Sequence, residues 1–155
     1  MIELRQISKS INGHQILDNL SLKFNEREMV CLIGSMGCGK STLLRCIDGL
    51  VKLDAGEITF ASGQRPRIGM IFQHFNLFPH LNVLQNLTLA PIKVLGMSAE
   101  DAANPAMEQL KSVGLAHKSQ QFPHDLSVGQ QQRVAIARCM VMNPQIILLD
   151  EPLSS

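Results

Sequence analysis

The sequence predicts an α/β fold with a mainly parallel sheet, and three observations carry that prediction. Residues 29–33 (Met-Val-Cys-Leu-Ile) are continuously apolar, as expected of a strand buried on both faces. A glycine-rich loop and a helical stretch over 41–50 follow it directly. A second apolar run, Ile146 to Leu149, comes after another helical stretch, so strands alternate with helices as in a layered α/β domain.

Taken in order, Ile2 and Leu4, then Leu20, Leu22 and Phe24, alternate with polar residues and read as strands with one wet face. Asn12-Gly13 between them is a hairpin turn signal. This gives an antiparallel β portion at the N-terminus. Residues 57–60 and 67–72 are further short strand candidates. Helical spacing returns over 83–89, where Pro91 is expected to limit the helix. Residues 98–113 read as helical with Gly114 as a stop, and Pro105 is accommodated by a fresh start with Asn104 as N-cap. A helix over 127–141 ends before Asn143-Pro144, and residues 145–149 form the last strand. The more polar, helical stretch sets the expected organisation: a core of 1–92 and 137–155, with a helical subdomain at 93–136.

At 155 residues the chain is one domain's worth of sequence, large enough to bury a core. With 45% apolar and 17% charged residues it is not a disordered chain. Fourteen Lys+Arg against thirteen Asp+Glu leave a net charge of +1, and aromatics are 4% with no Trp or Tyr. Neither the electrostatic footprint nor the stacking platforms of a nucleic-acid binder are present, so no nucleic-acid partner is expected. No apolar run approaches the roughly 20 residues of a membrane span, and the N-terminus lacks a signal-peptide pattern, so the chain is expected to stay in the cytosol. Cys31, Cys38, Cys46 and Cys139 form no C-x-x-C pair and are expected to be reduced and separate.

Gly34-Ser35-Met36-Gly37-Cys38-Gly39-Lys40-Ser41 fits G-x-x-x-x-G-K-[ST], the Walker A pattern, between a strand and a helix as that pattern requires. Its glycines let consecutive backbone N–H groups face phosphates, and the following helix start, with Thr42, favours negative charge. Lys40 would reach the β/γ-phosphates of ATP and the Ser41 hydroxyl would ligate Mg²⁺. Asp150 and Glu151 stand at the carboxyl end of an apolar strand, where open α/β sheets bind ligands. Asp150 is suited to hold Mg²⁺, directly or through water, and Glu151 to activate the attacking water. Ser127-x-x-Gln130 reads as a capping box opening a helix, whose N-terminus is itself an anion site.

Leu126-Ser127-Val128-Gly129-Gln130-Gln131-Gln132-Arg133, together with the two motifs above and in the same order, resembles the ATPase subunit of ATP-binding-cassette (ABC) transporters. The resemblance implies a P-loop NTPase core with an inserted helical subdomain. It implies that Ser127, Gly129 and Gln130 act in trans on the γ-phosphate held by a second subunit, in a head-to-tail dimer. Gln73 matches the family's Q-loop glutamine, which senses Mg²⁺ and water and relays that state to membrane permease subunits. Residues 73–81 and 88–94 look like polar amino acid importers of the glutamine/arginine/histidine type. That likeness implies a peripheral place on the inner face of the cell membrane and, indirectly, an amino acid-binding protein as partner. Phe75, Leu77 and Phe78 are read as seating the permease rather than filling a core, because apolar residues crowding a loop mark partner surfaces. His74, His80 and His124 lack metal-ligand spacing and read as surface residues.

The chain departs from the family pattern in four places. Val128 stands where the signature usually has Gly; a stiff β-branched residue there is unfavourable if the position needs φ > 0. Ile11 replaces the aromatic expected to stack on adenine. Cys38, beside Lys40 and a helix start, is either a reactive thiol or a tolerated small residue. The sequence also stops before the family's D-loop and switch histidine, which implies an incomplete domain. The readings kept open are therefore a Mg²⁺-dependent ATPase subunit of an amino acid importer, a shortened nucleotide-binding chain without turnover, and a soluble ABC protein outside transport.

Overall fold

The computed structural model describes residues 1–150. The chain divides into two units, Met1–Pro66 and a second that begins at Arg67.

In the first unit, β1 (Ile2–Ile11) and β2 (His14–Phe24) form the expected hairpin, turning at Asn12 (φ 51°) and Gly13 (φ 79°). Both φ values are positive, as a type I′ turn demands. β3 (Ala55–Phe60) pairs antiparallel on the other edge of β1, giving the order β2-β1-β3. Ile2, Leu4 and Ile7 of β1 are buried with Leu17 of β2. Leu4 and Ile7 are three apart and would face opposite sides of a regular strand. A register shift between them, with Gln6 at φ 49°, inserts the extra residue that returns Ile7 to the buried face. Helix α1 (Lys40–Asp48) buries Leu43, Cys46 and Ile47, the i, i+3, i+4 stripe of an amphipathic helix, and ends at Gly49.

Residues 29–33 correct one expectation. They adopt no strand, and Met29 and Ile33 are 99% and 93% exposed. A strand buried on both faces is held by ladder hydrogen bonds to neighbours on its edges. Among the described residues no strand pairs with this segment.

In the second unit, β4 (Ile68–Ile71) and β5 (Ile146–Leu149) pair in parallel, Ile68 opposite Ile146 through Ile71 opposite Leu149. Three helices pack on one another: α2 (Val83–Leu95), α3 (Ala99–Ser112) and α4 (Val128–Val141). Their shared core includes Val83, Leu87, Ala106, Leu110 and Val134. A smaller cluster joins Ile71 and Phe75 to Ala135 of α4.

Two prolines correct the expected helix bounds. Pro91 lies inside α2 rather than ending it, and Pro105 lies inside α3, which is capped by Ser98 and not restarted at Asn104. An interior proline costs about 3 kcal/mol. Against that, Val83, Leu87 and Pro91 form one fully buried row at spacing four, and Ala102, Ala106 and Leu110 form another. Breaking either helix at its proline would break a row that fills the core.

Candidate functional site

The segment read as a phosphate loop, residues 34–41, lies in the first unit. Its last glycine, Gly39, is the N-cap of α1 with φ 98°, and a Cβ there would stand 2.8 Å from Ile16 Cγ2 and 3.1 Å from the Ile16 carbonyl. Only glycine meets both the left-handed backbone and the close approach of β2. No side chain caps the N-terminus of α1 and no acidic residue stands in its first turn. That is the electrostatic arrangement of a helix end turned towards an anion. Lys40 Nζ donates to the carbonyls of Gly34 and Ser35, both at 2.9 Å, and lies 3.9 Å from Cys38 Sγ. The lysine thus curls over Gly34, Ser35, Met36, Gly37 and Cys38, while Ser41 and Thr42 follow it into α1. Ile11, at the tip of β1, is 41% exposed.

The second unit holds Gln73, Asp150 and the signature turn. The backbone N–H of Asp150 donates to the Ile71 carbonyl at 3.0 Å, extending the parallel ladder one step past β5. Gln73 begins two residues beyond Ile71, so the register brings both side-chain positions to the carboxyl end of the β4–β5 pair. Asp150 is 5% exposed. Gln73 lies in a turn closed by the Phe75 N–H donating to the Phe72 carbonyl. Glu151 lies outside the described residues.

Ser127 caps α4: its hydroxyl accepts from the Gln130 N–H at 3.3 Å, and Gln130 Oε1 accepts from the Ser127 N–H at 3.0 Å. This is the expected capping box, and Gly129 sits in its first turn. Val128 takes ordinary helical backbone and is absent from the positive-φ residues, so its stiffness causes no strain at this position. Ser127 is at the opposite end of α4 from the Gln73 turn; the structure groups Gln73 with Asp150, not with Ser127.

The loop after Gln73 departs from its sequence reading. Phe75 is buried against Ile71 and Ala135, and Leu77 packs on both clusters of this unit, so these two residues fill a core rather than seat a partner. Phe78 is 40% exposed, and His74, His80 and His124 are at the surface. Two residues that organise this loop escaped the sequence reading, Asn86 and Arg138. Asn86 makes four side-chain hydrogen bonds to Phe78, Leu81 and Asn82. Arg138 bonds the carbonyls of Phe75 and Asn76. Both were detectable as polar residues interrupting an apolar helical row.

Among the described residues no group of three or more His, Cys, Asp or Glu could hold a metal, and no helix is long and apolar enough to cross a membrane.

The sequence profile of the ABC transporter family matches residues 17–154. The chain belongs to that family. Across its whole length this ABC chain is 44% identical to the glutamine transport ATP-binding protein GlnQ of Geobacillus stearothermophilus, covering 69% of that protein. It is 45% identical to the arginine transport ATP-binding protein ArtM of Bacillus subtilis, also over 69% of it. It is 43% identical to the glutamate/aspartate import ATP-binding protein GltL of Escherichia coli. The fold is similar to the ATP-binding cassette MJ0796 in a dimeric post-hydrolysis state bound to ADP and Pi. That similarity has a TM-score of 0.87 and 37% identity, and covers 99% of this chain and 75% of the other. The P-loop cassette architecture expected from the sequence is thereby shown, with its parallel portion, among the described residues, confined to β4 and β5.

Proposed function

We propose that this ABC chain is the nucleotide-binding, ATP-hydrolysing subunit of an importer for polar amino acids. The phosphate loop carries the reading: an uncapped helix start behind a left-handed glycine, with a lysine already folded over the loop, suits a nucleotide polyphosphate and little else. The relatives named for glutamine, arginine and glutamate/aspartate transport support the substrate class.

In this reading Lys40 exchanges its bonds to Gly34 and Ser35 for the β/γ-phosphates, and the backbone of residues 34–42 cradles them. Ser41 in the first unit and Asp150 in the second each carry an oxygen of the kind Mg²⁺ prefers, and a bound ion would neutralise charge on phosphate oxygens. Gln73 would orient water beside Asp150, and Glu151 would accept its proton as the bond from water oxygen to the γ-phosphorus forms and the bond to the departing ADP breaks. Ser127, Gly129 and Gln130 present a helix N-terminus to the nucleotide of a second, head-to-tail copy; the dimeric cassette neighbour supports this. We further propose residues 93–136 as the helical arm of that domain, permease subunits and an amino acid-binding protein as assembly partners, and a peripheral position on the inner membrane face.

The test is Mg-ATP binding and hydrolysis by the full-length chain. Lys40→Ala is expected to abolish binding, whereas Glu151→Gln is expected to spare binding and lower turnover by about 10²–10⁴. Binding that survives Lys40→Ala would overturn the phosphate-loop reading, and unchanged turnover in Glu151→Gln would remove Glu151 from the mechanism.

A further inference from the structure

Phe75 and Asn76, directly after the Gln73 turn, are consecutive non-glycine residues in the left-handed region, at φ 57° and 47°. For a bulky residue such as Phe this is an outlier, one that persists only where the surroundings fix it. Ile71 of β4 packs on it, and two groups of α4 hold it from the other element. Ala135 packs in one cluster with Phe75. One turn on, the Arg138 guanidinium donates Nη2–H to the Phe75 carbonyl at 2.8 Å and Nη1–H to the Asn76 carbonyl at 2.7 Å. The same guanidinium lies 5.7 Å from the centre of the Phe78 ring. The bland reading of Arg138 is a cation complementing the C-terminal end of α4. Its guanidinium instead donates to the two carbonyls of the strained pair, across 62 and 63 residues of sequence.

We propose that Arg138 is a positioning residue that fastens the Gln73 turn to α4, so that displacement of the helix capped by Ser127 is transmitted to Gln73. The planar fork matters, because two diverging N–H groups reach two successive carbonyls while the face covers Phe78. Lysine keeps the charge but has neither the fork nor the flat face. Burial draws the Arg138 guanidinium below its usual pKa, in keeping with a group enclosed between helix and turn.

The transmission to catalysis rests on the ATPase reading; the fastening does not. Amide exchange of residues 74–78 is measured in the full chain for wild type, Arg138→Lys and Arg138→Gln. Both variants are expected to speed exchange there at least tenfold, with α4 residues 130–136 within threefold of wild type. Unchanged exchange at 74–78 would overturn the proposal, as would equal acceleration along α4. In steady-state hydrolysis, Arg138→Lys is expected to lower kcat about tenfold with KM for ATP within threefold. Combined with Gln73→Ala it should lose no more than the larger single variant. Fully multiplicative losses would overturn the transmission. If wild type shows no Lys40-dependent hydrolysis, the functional reading fails while the exchange comparison still decides the fastening.

Discussion

Asn86 is 1% exposed and acts as a polar pin for the loop that leaves the Gln73 turn. Its Oδ1 accepts from the Phe78 N–H at 2.8 Å, and its Nδ2 donates to the carbonyls of Phe78 (3.1 Å), Leu81 (3.0 Å) and Asn82 (3.0 Å). Asn86→Ala removes all four bonds at once. The two Nδ2 protons are shared among three carbonyls, so the set amounts to about three full bonds; at a net value of about 1 kcal/mol each the loss is roughly 3 kcal/mol, and water reaching the outer carbonyls reduces it towards about 2 kcal/mol. The variant should therefore raise the opening constant of α2 by roughly thirtyfold to 150-fold. The assay is amide exchange of α2 in the full chain, which reads the second unit without averaging over the first. Asn86→Asp is the informative control. It keeps the acceptor for the Phe78 N–H but turns a carboxylate oxygen towards three carbonyls, so it should do no better than alanine. A loss below about 0.5 kcal/mol in Asn86→Ala, or an Asn86→Asp chain as stable as wild type, would refute the reasoning.

Gly39→Ala should lower Mg-ATP affinity at least tenfold while leaving the β1–β2 hairpin intact, since its Cβ must displace Ile16 or deform the phosphate loop; equilibrium titration with a fluorescent nucleotide checks it, and wild-type affinity would count against the geometry. Asp54 governs an acid-side dependence. The Lys9 ammonium first, and the Ser10 N–H second, hold its carboxyl below the usual carboxylate range. A depressed folded-state pKa gives stability that is present above the unfolded value of about 4 and lost as pH falls through the lower folded value. Asp54→Asn should flatten the stability profile of the first unit below about pH 4, measured as thermal midpoint against pH, and a profile parallel to wild type would remove Asp54 from that role.

Motifs whose physics is local were legible in the sequence. Asn12-Gly13 needs positive φ at both positions wherever it occurs, and Ser127 with Gln130 closes a capping box without help from the rest of the chain. Features that depend on distant partners were not. Residues 29–33 are apolar enough for a central strand, yet a strand exists only with neighbours to bond it. Pro91 and Pro105 are poor helix residues locally, and only the buried rows running past them explain why α2 and α3 continue. Phe75 read as a docking residue because it crowds a loop with Leu77 and Phe78, and the Ala135 surface that covers it lies 60 residues away. At the site, the glycine spacing and the helix start at Lys40 were legible, whereas the strand expected before the loop does not form. The grouping of Asp150 with Gln73 needed the β4–β5 register, and Arg138 needed a backbone strain that sequence does not display.

The parallel register of β4 and β5 also constrains how such a chain can change over evolutionary time. Between Ile71 and Ile146 the polypeptide makes three helices and several turns, and insertions there leave the pairing of the two strands untouched. A single residue gained or lost inside either four-residue strand has the opposite effect. It exchanges the two faces of the strand and moves Asp150 one step along the ladder relative to Gln73. Length variation among descendants of this sequence should therefore gather in the helical segment, while the two short strands keep their residue count.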